Sequence, residues 1–178
     1  MELKKLETVG NEFNLLWDIM VEAFPVDERH SKNTQEEMFD LDNYTLYGAY
    51  NTELLGFSGV WNFETFQFIE HLAVRKEMRG KGYGTQIMSQ LLKEGLVVLE
   101  VEPPVDEQSK KRIRFYENLG FHLNQYEYIQ PAYEPTTKPV PLLIMSYPRP
   151  IDLSEFETIR ERLHREVYDL KEPLLSLD

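Results

Sequence analysis

The chain has 178 residues with 31 acidic against 19 basic side chains, a net charge of −12 and no cysteine. That length suits one domain with a full core, and the missing cysteines exclude a disulfide framework and a thiolate zinc site. The acidic balance argues against a broad nucleic-acid surface, which needs clustered Lys and Arg, and mildly favours cationic amine partners. No apolar run approaches the roughly 20 residues that span a bilayer, and the N-terminus lacks a signal-peptide core. A cytoplasmic location is the default expectation.

In chain order, Leu3 to Leu6 is a short strand candidate. From Asn11 to Phe24 the residues Phe13, Leu16, Trp17, Met20, Val21 and Phe24 recur at helical spacing and predict one buried face. Pro25 closes that helix, and a charged loop, Phe24 to His30, leads to a weaker helix around Gln35 to Phe39. Tyr44–Tyr50 and Leu54–Asn62 read as antiparallel strands joined by Asn51-Thr52-Glu53.

Phe66 to Val74 is a further apolar strand, interrupted by Glu70. Alternation places Glu70 on one face with Phe68 and Leu72, and His71 on the other. A carboxylate there is costly unless solvated or paired. After a polar turn come Gly80, Gly82 and Gly84, then a helical pattern with Ile87, Met88, Leu91 and Leu92 that ends at Gly95.

Strand, glycine turn and helix together make an anion site. Glycines let successive N–H groups converge, and the helix start adds unpaired donors and the positive end of its dipole. Arg79 and Lys81 add charge, so phosphate or pyrophosphate is the expected guest. A Walker A string is absent, and the last glycine of a Rossmann fingerprint is replaced by Thr85 or Ile87 in the two possible registers. What stands instead is Arg-x-x-Gly-x-Gly (Arg79, Gly82, Gly84) after Leu72-Ala73-Val74.

Leu96 to Val101 is a second continuous apolar run, as a buried parallel strand would be. Glu102-Pro103-Pro104 ends it, and a helix capped by Asp106 or Ser109 runs to Leu119, before Gly120. Phe121–Tyr128 and Val140–Tyr147 are predicted strands, joined by a long proline-rich connection, residues 129–139. Ser154-Glu155-Phe156-Glu157 starts a last helix whose face is Phe156, Ile159, Leu163 and Val167. The four histidines lack metal-ligand spacing, so no metal is expected.

Two stretches carry a resemblance to a known family. The Leu72-Ala73-Val74 to Gly82-Tyr83-Gly84 segment resembles the acetyl-CoA motif of the GNAT superfamily of N-acetyltransferases, and Tyr116-x-x-x-Gly120-Phe121 resembles the Tyr-x-x-x-Gly-Phe motif of the same fold. The resemblance covers roughly residues 1 to 147. It implies an α/β, GNAT-like (acyl-CoA N-acyltransferase) fold: a central mixed β-sheet flanked by helices, with an additional C-terminal helix and with the fourth and fifth strands splayed apart. The expected organisation is a single domain over residues 1–178, with a core of about 1–147 and an extension over 151–178.

The implied chemistry is transfer of an acetyl group from acetyl-CoA to a primary amine, by direct attack in a ternary complex. Acetyl-CoA would lay its pyrophosphate on Arg79, Gly80, Lys81, Gly82, Tyr83, Gly84 and Thr85 and its pantetheine along Leu72, Ala73 and Val74. Glu70 is the first choice for general base, His71 the reserve and a water the third candidate. Tyr116 matches the family tyrosine that protonates the leaving thiolate. Ser109 stands where family members often carry a CoA-contacting asparagine. Glu28, Arg29 and His30 fall in the loop that often shapes the acceptor site, and Tyr126, Tyr128 and Tyr133 either line a substrate slot or pack on the sheet. The acceptor, a small molecule or a peptide amine, is not named by the sequence, and monomer and homodimer both stay open. The alternative reading is a CoA-binding regulatory or scaffold protein without transfer.

Overall fold

The strand-like runs of the first half line up as a meander in the computed structural model, which describes residues 1–92 and 95–177. Strands β1 (Glu2–Lys5), β2 (Tyr44–Tyr50), β3 (Leu54–Asn62) and β4 (Phe66–Val74) pair antiparallel, each with the next. Helix α1 (Asn11–Ala23) and helix α3 (Tyr83–Leu91) pack on β3 and β4, and the short α2 (Lys32–Glu37) starts from a Ser31 cap. Strands and helices together form a mixed α/β fold, an open multi-stranded sheet flanked by helices. The contacts group the chain into two compact parts, Met1–Val97 and Val98–Asp178.

The helical face of α1 is rotated slightly from its predicted position. Phe13, Leu16 and Met20 are buried as expected, but Val21 is 46% exposed and Ile19 is buried in its stead. Phe24 closes the helix by donating its N–H to the Met20 carbonyl.

A single irregularity in β4 matters for everything that follows. Gly59 sits opposite His71, but the next residue, Val60, sits opposite Ile69. Glu70 is therefore the extra residue of a β-bulge, which locally re-aims side chains. Strict alternation put Glu70 and His71 on opposite faces. The bulge overrides it: His71 Nδ1 lies 3.8 Å from Glu70 Oε2.

Strand β5 (Leu96–Val101), most of which belongs to the second part, neighbours β8 (Val140–Tyr147), with α4 (Glu107–Glu117) between them in sequence. The predicted strand Phe121–Tyr128 is in fact two short ones, β6 (His122–Leu123) and β7 (Tyr128–Gln130), which pair with different stretches of β8. Asn124 marks the break. Its backbone N–H and its side-chain amide both donate to the Ile144 carbonyl, its amide also donates to Ser146 Oγ, and its side-chain oxygen accepts from the Ile151 N–H. The chain thus exchanges a ladder position for a side-chain clamp.

Asp106 is the cap of α4, and the last helix, α5 (Leu153–Arg162), is capped by Asp152 with Glu155 closing the box, two residues earlier than Ser154. Leu163–Val167 continues α5 as a wider turn, and Phe156, Ile159, Leu163 and Val167 are all buried as their spacing predicts.

Candidate active site

The glycine turn after β4 has the backbone that an anion cradle needs. Gly80 and Gly82 take φ of 75° and 81°, the left-handed region that other residues enter only with strain. A Cβ built on either would meet nothing within 4 Å, so the need for glycine is conformational and the space above the turn is open. Gly82 is also the N-cap of α3 and brings no side chain to cap it. By contrast α2, α4 and α5 all begin with a side-chain cap. Helix α1 also starts uncapped, but its Gly10 is extended, with φ of −171°.

The first-turn N–H groups of a helix have no partner within it. At α3 these belong to Tyr83, Gly84 and Thr85, beside the exposed Gly80, Lys81 and Gly82. Among the described residues Lys81 makes no ion pair; its ammonium lies 3.6 Å from the Met78 sulfur. Arg79 is tied down, donating from Nε to the Val74 carbonyl at 3.0 Å and pairing with Glu22 at 3.1 Å. Leu72, Ala73 and Val74 face Ser58, Phe57 and Gly56 of β3.

Toward the middle of β4, the bulge gathers a polar cluster. Glu70 has no exposed side-chain surface. Its Oε2 accepts the Trp61 indole N–H at 2.8 Å, and its Oε1 lies 3.3 Å from His30 Nε2. His71 Nε2 donates to the Glu28 carbonyl at 2.9 Å, and its ring stands edge-on to Phe24 with centroids 4.5 Å apart. Two points of the 24–30 loop are thereby pinned to the bulge.

Burial by itself would push the Glu70 carboxyl up, but the charge of His71, the hydrogen bond and charge of His30 and the Trp61 donor outweigh it and hold it at about 2. Burial pushes His71 down from its ordinary 6.5, against the pull of Glu70 and of the Glu28 carbonyl. Burial and then the Glu70 charge push Tyr44 well up, against the donor from Gln35 Nε2 at 2.9 Å. Glu70 is thus an ionised carboxylate at any pH near neutral.

The pH dependence of stability follows in sign. The native Glu70 carboxyl is depressed from 4.5 to about 2, so its contribution is complete above pH 4.5 and is lost as pH falls through 2. A depressed His71 works in the same direction from 6.5 downward, because the unfolded chain takes that proton first. The urea midpoint should fall continuously from pH 7 to pH 3. In Glu70→Gln the part of that fall below pH 4.5 should flatten; an unchanged slope there would remove Glu70 as its source.

In the second part of the chain, Tyr116 lies on the inner face of α4, 8% exposed. Its ring is edge-on to Phe115 and Phe121, and its carbonyl accepts the N–H groups of Leu119 and Phe121, closing the turn that Gly120 enters with φ of 91°. Its hydroxyl makes no hydrogen bond to another described residue. Burial pushes the phenol up, Arg112 opposes and Glu102 adds, to about 12. The phenol is therefore protonated at neutral pH and able to donate.

Ser109 is 4% exposed, and its hydroxyl is engaged in the α4 capping box: it donates to Asp106 oxygens and accepts from the Asp106 N–H. The three slot tyrosines have partners of their own. Tyr126 donates to the Ile151 carbonyl and stacks on Phe156, and Tyr133 stands edge-on to Tyr168. Tyr128 donates to one Glu100 oxygen and Tyr168 to the other.

Of the predicted site residues, the structure gathers Arg79 to Thr85 in one turn and brings Glu70 together with His71. Sequence reasoning missed Trp61 and the direct His30–Glu70 contact. An indole on the strand paired with Phe66–Val74 was a usable signal for the first. The second depends on the bulge and a loop closure that no local pattern encodes. Among the described residues, no cluster of His, Asp or Glu has the geometry to hold a metal ion, and no helix is long and apolar enough to cross a membrane.

Comparison with known proteins adds an independent line. Residues 13–121 match the model of the acetyltransferase (GNAT) family. A protein of Bacillus subtilis (strain 168) named "Putative acetyltransferase YjbC" is 33% identical over 113 residues, 59% of this chain and 55% of that one, so the match spans about half the length of that relative. A solved structure described as "Putative acetyltransferase from GNAT family from Bacteroides thetaiotaomicron" superposes with a TM-score of 0.89 at 30% identity, covering 96% of this chain and 100% of that one. An aminoglycoside 6'-N-acetyltransferase complexed with coenzyme A shares the fold, with a TM-score of 0.58 at 19% identity over 85% of this chain and 100% of that one.

Proposed function

Since this chain belongs to the acetyltransferase (GNAT) family, we propose that it is an acyltransferase that moves the acetyl group of acetyl-CoA to a primary amine in a ternary complex. The observation that carries the cofactor assignment is the uncapped start of α3 behind two glycines of positive φ. Open space above the turn and the Lys81 ammonium fit a pyrophosphate. Leu72 to Val74 offer backbone for a pantetheine arm laid alongside as an added strand.

When bound, acetyl-CoA supplies an acetyl thioester as the electrophile. The chain must then remove a proton from the acceptor, whose ammonium has a reference value near ~10.4, and stabilise the departing sulfur. Glu70 is the charged member of the base and Tyr116 the donor to sulfur. A phenol at about 12 lies well above a thiol near ~8.5, so full transfer from Tyr116 alone runs uphill. Its contribution is a hydrogen bond that strengthens as the thiolate forms. Without a cysteine, direct attack replaces a thioester-enzyme intermediate. An acceptor amine, small or on a peptide, suits the acidic chain; an aminoglycoside is one such amine.

The test is a thermal-shift titration with acetyl-CoA, CoA and NAD. A hundredfold excess over Kd stabilises by about 2.7 kcal/mol, several degrees of Tm for a chain of this size. Both CoA species should shift Tm and NAD should not. No shift with acetyl-CoA would leave the glycine turn as ordinary structure.

A further inference from the structure

The chain has no cysteine, so its oxidisable sulfur is the thioether of its six methionines. Four of these are closed off from solvent: Met20, Met88 and Met145 are 0% exposed and Met38 is 4% exposed. Met1 begins the chain, and Met78 is half-buried. Met78 is therefore the internal methionine that an oxidant reaches without unfolding the protein. It closes the short turn Lys76–Met78 that joins β4 to the glycine cradle, and its N–H donates to the Arg75 carbonyl at 2.8 Å.

The Met78 sulfur lies 3.6 Å from the Lys81 ammonium, and this contact is at the surface. A thioether is a weak acceptor, so it holds an ammonium loosely and leaves it able to turn to a bound anion. Arg79 is the less available cation of the turn, since Glu22 and the Val74 carbonyl already engage it. Of the two, Lys81 is the one left for a phosphate, and beside its ammonium stands an oxidisable sulfur.

We propose that Met78 is an oxidation site, and that its sulfoxide lowers the affinity of the cradle for CoA. The proposal rests on the reading of this turn as the pyrophosphate cradle. The oxidant is a hydroperoxide, hydrogen peroxide being the simplest. A sulfur lone pair attacks one peroxide oxygen, the S–O bond forms and the O–O bond breaks. The second oxygen leaves as hydroxide and takes the proton of the first, giving water. Sulfur is oxidised to the sulfoxide, the peroxide is reduced to water, and nothing else is consumed. The sulfoxide oxygen is a strong acceptor where the thioether was a weak one. Already beside the Lys81 ammonium, it holds that group in a charge-assisted hydrogen bond and withdraws it from the anion. The fold tolerates the added polarity because Met78 stands outside the buried core. A methionine sulfoxide reductase returns the thioether, so the change is reversible.

The experiment oxidises the full chain with hydrogen peroxide and then removes the peroxide. Peptide mass spectrometry locates the added oxygen, and calorimetric titration measures CoA binding. Oxygen is expected on Met78 and Met1, with Met20, Met38, Met88 and Met145 still reduced. The Kd for CoA should rise about tenfold, as for the loss of one charge-assisted contact. Methionine sulfoxide reductases A and B should bring it back. Met78→Leu should bind CoA within about twofold of wild type and ignore peroxide, although Met1 is still oxidised in it. Lys81→Ala should lose no further affinity on oxidation. Unchanged CoA binding with Met78 oxidised, a Met78 that stays reduced, or the same loss in Met78→Leu overturns the Met78 assignment alone. A further loss in oxidised Lys81→Ala overturns its route through the ammonium. A reduced wild type without affinity for CoA brings down the cradle reading and this one with it.

Discussion

Gly82→Val should weaken CoA binding by at least about a hundredfold while the protein stays folded. Gly82 adopts φ of 81°. A β-branched residue there carries strain of about 1–3 kcal/mol. No atom lies within 4 Å of where its Cβ would be, so the strain is relieved by rotating the backbone, not by pushing on the core. That rotation turns away the N–H groups leading into α3, and a hundredfold in Kd corresponds to about 2.7 kcal/mol. Calorimetric titration with CoA measures it, and the Tm of the free protein should drop by only a few degrees. Gly10→Ala is the matched control, because Gly10 also precedes a helix without a side-chain cap but is extended, with φ of −171°. An unchanged CoA affinity in Gly82→Val would remove the pyrophosphate from this turn.

Tyr116→Phe should lower kcat by about 10–100-fold, with CoA affinity changed by less than about threefold. A hydrogen bond to a charged group contributes about 1.5–3 kcal/mol, which sets that range. The ring packing against Phe115 and Phe121 is kept in phenylalanine, and the hydroxyl loses no hydrogen bond to another described residue. Folding stability should therefore be nearly unaffected, and the loss should appear in the chemical step. Pre-steady-state measurement of thiol release separates that step from product release. A wild-type kcat in the variant would take the donor role from Tyr116.

The two residues differ in how they can be read. The glycine turn is a local feature: alternating glycines after an apolar strand and before a helical period leave few conformations, so its left-handed glycines and the uncapped start of α3 follow from chain order alone. Tyr116 was legible through its spacing to Gly120 and Phe121, which the structure joins by a hydrogen bond from the Phe121 N–H to the Tyr116 carbonyl. For Ser109 the sequence allowed two readings, since a hydroxyl near a helix start serves equally as cap or as ligand contact. Here it closes the Asp106 box.

What the amino-acid order determined by itself is what neighbouring residues decide: Tyr44–Tyr50, Leu54–Asn62, Phe66–Val74, Leu96–Val101 and Val140–Tyr147 are strands over the predicted spans, because apolar runs between turn residues bury only as strands of that length. The tertiary structure decided the rest. The β3–β4 register leaves Glu70 as an extra residue and turns it toward His71 against strict alternation. Loop closure over 43 residues sets the Glu28 carbonyl on His71 and brings His30 to Glu70. No periodicity specifies such contacts, since they arise only when a buried carboxylate must find donors and the packed loop supplies them.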